Sequence, residues 1–139
     1  MTKFGYPGTL IAETDAWAVL ARPQQVTLGS LVLVYRKPAT CFAQVDTAGF
    51  GALQPIVTSI EDMLQALVQY DKINYLMLMM VDPDVHFHVI PRYDGKRDFD
   101  GIEFPDTGWP GPPAMGSAVT PPAAVFDKIV TVLREHWPG

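Results

Sequence analysis

The chain has 139 residues, a formal charge of −5 and a pI of about 4.9. One small domain spanning residues 1–139 is the expectation, and steering of nucleic acid polymers by an overall basic surface is excluded. Apolar residues make up 48% and charged residues 18%, a balance that excludes a disordered chain.

Cys41 is the only cysteine, so no internal disulfide can form and a reducing, cytoplasmic setting is expected. The start, "MTKFGYPGTLIAETD", lacks the apolar region of a signal peptide. "TLIAET" and "WAVLAR", on either side of "TDA", read as a β-hairpin. "SLVLVY", Ser30 to Tyr35, is rich in β-branched residues and reads as a buried strand that Pro38 closes.

From Gln54 to Tyr70 the period changes. Ile60, Met63, Leu64 and Leu67 follow helical spacing, and Ser59 with Asp62 three residues on offers a cap. "INYLMLMMV" and "VHFHVI" read as two strands joined by a tight "DPD" turn. The run "YLMLMMV" is too short to span a bilayer. Residues 94–120, with "PDTGWPGPPAMGSAVTPP", read as a Pro/Gly-rich loop. Thr120, Pro121 and Pro122 then signal a C-terminal helix over 121–136, its apolar face made by Val125, Phe126, Ile129, Val132 and Leu133. The elements add up to an α+β fold with an antiparallel sheet of about five strands, a long helix and a C-terminal helix.

The candidate chemistry lies in "DPDVHFHVIPR", residues 82–92. In an extended segment Asp84, His86 and His88 share one face, while Val85, Phe87 and Val89 turn to the core. Such a ridge suits three uses. A neutral imidazole can attack phosphorus when its other nitrogen has an acceptor, with Arg92 placed to neutralise phosphate oxygens. An Asp-x-His-x-His set can bind a metal, although Arg92 opposes a cation there. A polar strand face after a turn is the third reading.

"DVHFHVIPR" resembles the histidine-triad (HIT) motif followed by Pro-Arg, and "INYLMLMMV", "VTLGSLVLVYRKP" and "RYDGKRDFDGIEFPDTGWPGPP" are similar to segments of the bacterial diadenosine tetraphosphate hydrolase-like branch. The resemblance implies a HIT-like fold, usually a homodimer, and a small-molecule nucleotide as ligand. It implies hydrolysis or transfer at the α-phosphate of a dinucleoside polyphosphate or nucleoside phosphoramidate through a nucleotidyl-histidine, with no obligatory cofactor or metal. His86 falls on the nucleophile and His88 on the phosphate-binding partner. Asn74, Arg92, Ser30 and Trp109 become substrate contacts.

Two departures stand out. Asp84 replaces the first histidine, so it becomes a candidate orienter of His86 whose charge could equally favour imidazolium. The segment "MMVD" offers no side-chain donor from Met79, Met80 or Val81. These departures keep open a catalytically weak or inactive nucleotide-binding sensor.

Overall fold

The computed structural model describes residues 4–138. The two sides of "TDA" pair as strands β1 (Leu10–Glu13) and β2 (Trp17–Ala21), and β3 (Leu31–Tyr35) pairs antiparallel with β2. Strand β5 (His86–Arg92) lies between β3 and β4 (Lys72–Leu76), giving one antiparallel sheet in the order β1-β2-β3-β5-β4.

Side-chain alternation divides this sheet into two faces. Trp17, Val19, Leu31, Leu33 and Val89 point to the main core, where they meet the long helix α1 (Thr47–Val68) and the C-terminal helix α2 (Ala123–His136). Val85 is buried there and Phe87 packs against it, as the strand period requires. Leu20, Val32 and Val34 form a smaller cluster on the opposite face with Phe4, Tyr6 and Leu10. The histidines belong to this second, thinly covered face.

Helix α1 starts seven residues before the Gln54 boundary expected from sequence, and Ser59 and Asp62 lie inside it rather than at its cap. Asp46 is the cap, its carboxylate accepting from Gly49 N at 2.7 Å. Pro55 sits within the helix on an exposed position. There the Gly51 carbonyl, deprived of its N–H partner, can turn to water. Asp46→Ala is expected to cost about 1 kcal/mol of stability, measured by denaturant unfolding.

The reading of residues 94–120 as loop throughout is corrected by a second sheet, the hairpin β6 (Lys96–Phe99) and β7 (Ile102–Pro105). Asp100 and Gly101, at φ +51° and +79°, make its tight turn, the Asp-Gly signal of a two-residue hairpin loop. Arg97 ties this hairpin to the sheet's helix layer by donating to the Val68 and Gln69 carbonyls at the end of α1, at 2.8 and 2.9 Å. Those carbonyls lack helical partners, and a cation suits that end of the dipole.

The expected strand 73–81 is also corrected. Its last pair is Leu76↔His88, and residues 77–85 form a connection in place of a tight "DPD" turn. Met79 takes a left-handed φ of +55°, which extended pairing cannot accommodate. Leu78, Met80 and Val81 consequently face outward, Met80 at 86% and Val81 at 90% exposure.

Candidate functional site

Register fixes what can meet on the open face. His86 is opposite Val34, His88 opposite both Val32 and Leu76, and Arg92 opposite Lys72. His86, His88, Ile90 and Arg92 therefore share a face with Asn74 and Lys72 of β4.

At the start of β5 a cavity of about 330 Å³ is lined by Phe4, Arg22, Leu78–Asp82, His86 and His88. His86 is buried at 3% exposure. Its Nδ1 lies 2.6 Å from the main-chain carbonyl of Asp84. A carbonyl only accepts, so Nδ1 carries a proton, and the uncharged tautomer this contact selects has its lone pair on Nε2. The orienting acceptor is thus Asp84's backbone rather than the carboxylate in which the sequence placed that role. Upstream, Asp82 Oδ1 accepts from Asp84 N at 2.9 Å and holds the connection that presents this carbonyl. The Phe4 ring, 5.3 Å from the imidazole, covers His86 on another side.

His88 meets His86 edge-on, with ring centroids 5.2 Å apart. Burial, and after it the charges of Arg22 and His86, push the His88 pKa down to about 4. Its Nδ1 is buried without a hydrogen-bond partner. At neutral pH His88 is therefore an uncharged ring beside His86. Because the unfolded chain protonates this histidine near 6.5 while the folded chain resists, stability contributed here is complete above about 6.5 and is lost as pH falls toward 4. His88→Gln is expected to flatten the slope of unfolding free energy between pH 6.5 and 5, measured by urea titration at each pH.

Arg22, just past the end of β2, is the cation of this cavity, and nothing in "LAR" singled it out. Burial lowers its pKa from the ordinary guanidinium value, yet arginine stays charged. Nη1 donates to the Gln24 carbonyl at 3.0 Å, and the other N–H groups make no side-chain bond or ion pair among the described residues. They remain available to an anion at the histidines.

The remaining sequence candidates are not in this cavity. Arg92 is buried, with Nε and Nη2 on Asp106 at 2.7 and 3.0 Å and Nη1 on Asn74 Oδ1 at 2.8 Å. It binds a carboxylate of its own chain, where the sequence reading had it neutralising phosphate. Asn74 and Trp109 line a different cavity with Arg92. Ser30 is fully buried; its hydroxyl donates to the Thr27 carbonyl and accepts from Thr27 N. Ser30 closes a turn and lines neither the histidine cavity nor the one around Asn74 and Trp109. Asp84 is half-buried just ahead of the strand. Among the described residues no group of three or more His, Cys, Asp or Glu side chains is placed to hold a metal ion, Asp84, His86 and His88 included.

Set against solved structures, the chain superposes over nearly its whole length on histidine-triad proteins. With one from Marinobacter aquaeolei the TM-score is 0.76 at 19% identity, covering 99% of this chain and 93% of that one. One from Sinorhizobium meliloti gives 0.76 at 19%, covering 98% and 94%. A Bradyrhizobium japonicum protein gives 0.73 at 22%, covering 92% and 89%. The chain has the histidine-triad fold. No protein-family model matches it, and no curated protein sequence matches it significantly.

Within the histidine-triad fold the α+β expectation holds, from the five-stranded antiparallel sheet to the two helices. The strand carrying His86 and His88 is interior, supported by β3 on one side and β4 on the other. No helix among the described residues is long and apolar enough to cross a membrane.

Proposed function

We propose that the protein is a nucleotide-binding hydrolase or transferase acting at the α-phosphate of a dinucleoside polyphosphate or nucleoside phosphoramidate. The observation that carries this reading is the 2.6 Å contact of His86 Nδ1 with the Asp84 carbonyl, which leaves Nε2 as the attacking nitrogen. In-line attack forms a P–N bond to His86 and expels the leaving group; water then attacks the same phosphorus and returns the imidazole. His88, neutral and adjacent, is the proton-handling partner, and Arg22 faces the phosphate oxygens. No cofactor or metal is required by these steps, and the ligand is a small molecule rather than a nucleic acid polymer or a membrane.

Incubation with adenosine phosphoramidate and with diadenosine tetraphosphate, followed by intact mass, tests the reading. An adenylyl adduct together with product formation is expected. Nucleotide that binds without adduct or product would remove the enzyme. Arg22→Gln is expected to weaken binding of AMP by about tenfold or more, measured by calorimetry, because a charge-assisted contact is lost.

A second reading is favoured by a specific feature. The lip formed by Leu78, Met79, Met80 and Val81 offers no side-chain donor to a leaving group, so the same cavity serves a sensor that binds nucleotide and turns it over poorly. Steady-state turnover far below the rate of adduct formation would identify it. The homodimer belongs to the same proposal: β4 is an edge strand, and an apolar cavity lined by Leu33, Leu53, Val57, Tyr75 and Phe87 opens beside it. Light scattering should then give twice the 15.3 kDa chain mass.

A further inference from the structure

The second cavity on the open face, about 500 Å³, shares no lining residue with the histidine cavity. Lys72, Asn74, Arg92, Trp109, Pro110, Gly111 and Pro112 line it. Its chemistry follows from how the charges cancel. Lys72 and Arg92 are directly opposite across the β4–β5 pair, a repulsive arrangement if nothing intervenes. Asp106 neutralises one of them, gripping Arg92 through both carboxylate oxygens. Lys72 makes no ion pair or side-chain hydrogen bond among the described residues, so the cavity keeps one uncompensated cation.

Asn74 adds a second donor. A guanidinium can only donate, so the Asn74 oxygen must be the atom facing Arg92 Nη1 at 2.8 Å. That fixes the amide, and Nδ2 with its two hydrogens is turned away from Arg92. Trp109, half-buried, supplies an aromatic side chain to the same cavity. Its loop is held before any ligand arrives. Asp106 Oδ1 accepts from Gly108 N, the Asp106 carbonyl accepts from Trp109 N, and Gly111 N bonds to the Gly108 carbonyl at 2.7 Å. A side chain at Gly108 would collide with the Pro112 carbonyl, so the close approach of the loop to itself depends on glycine there.

A free ammonium, an oriented amide donor and a flat aromatic wall in one groove select a particular ligand. We propose that this cavity is a binding site for a flat aromatic ring carrying an anionic group, separate from the histidine cavity. The ring lies on Trp109 and the anion meets Lys72 and Asn74. A nucleoside monophosphate and an aromatic carboxylate share this chemistry. The inference stands whether or not His86 is a nucleophile.

The test uses the full chain carrying His86→Ala, so that covalent chemistry plays no part, and reads the Trp109 indole N–H by NMR, assigned with Trp109→Phe. AMP, benzoate, adenosine and inorganic phosphate are titrated separately. AMP or benzoate is expected to shift the indole signal; if only one of them does, it names the source of the ligand. Adenosine and phosphate, each lacking one half of the ligand, should bind about tenfold more weakly or less. Lys72→Glu, an exposed substitution, should abolish the shift while leaving the rest of the spectrum in place. Three results would each overturn the proposal: no shift at Trp109 with either anion, a response to adenosine as strong as that to AMP, or a shift unchanged by Lys72→Glu.

Discussion

His86→Ala is expected to eliminate the nucleotidyl adduct and to lower turnover by about three orders of magnitude or more, since removal of a covalent nucleophile leaves only the binding contribution. Intact mass and steady-state hydrolysis of adenosine phosphoramidate measure the two effects. Asp84→Asn separates charge from orientation. The acceptor for His86 Nδ1 is main chain, so the adduct should still form at a rate within a few-fold of the parent. If Asp84→Asn instead matched His86→Ala, the side chain at 84 would be the orienter in place of the main-chain carbonyl. Adenylylation persisting without His86 would move the nucleophile elsewhere.

Arg92→Ala carries the largest expected effect on stability. The substitution leaves Asp106 buried without its cation, in a site where the two side chains are 4% and 1% exposed. Breaking such a pair from one side costs about 3–5 kcal/mol, which for a domain of this size lowers Tm by roughly 10–20 °C. Thermal unfolding should also show that Arg92→Ala combined with Asp106→Ala costs much less than the sum of the singles, because the two groups form one unit. The adduct at His86 should survive wherever the variant remains folded. Loss of adduct in folded Arg92→Ala would return Arg92 to the reactive site.

Period-two alternation was enough to place His86 and His88 together and to send Val85 and Val89 to the core, because a strand fixes side-chain direction whatever surrounds it. Helix α2 was equally legible from Pro122 and the spacing of Ile129 and Leu133. The elements that escaped did so for local reasons. Hairpin β6–β7 is short, and its Asp100–Gly101 turn signal was outweighed by the Pro and Gly that follow it. Pro55 looked like a boundary because its tolerance depends on which side of α1 meets solvent. The apolar run 73–81 gave no sign that Met79 would leave the strand.

Site residues divide in the same way. Arg92 was read from sequence as a phosphate contact, but Asp106, which claims it, comes from a segment fourteen residues later that no strand period could register. Arg22 reaches the cavity from the end of β2, and one arginine before a proline carries no pattern. Contacts made along a strand could be read; contacts made between distant segments could not.

Strand β5 serves both cavities, and this gives it the character of a ruler. His88 and Arg92 are four residues apart on one face, about 13 Å along an extended chain. Between them stands Ile90, fully buried, which neither cavity includes. A molecule held at both ends would therefore be sorted by its length: too short a tether leaves one end empty, and a longer one must bow away from the sheet.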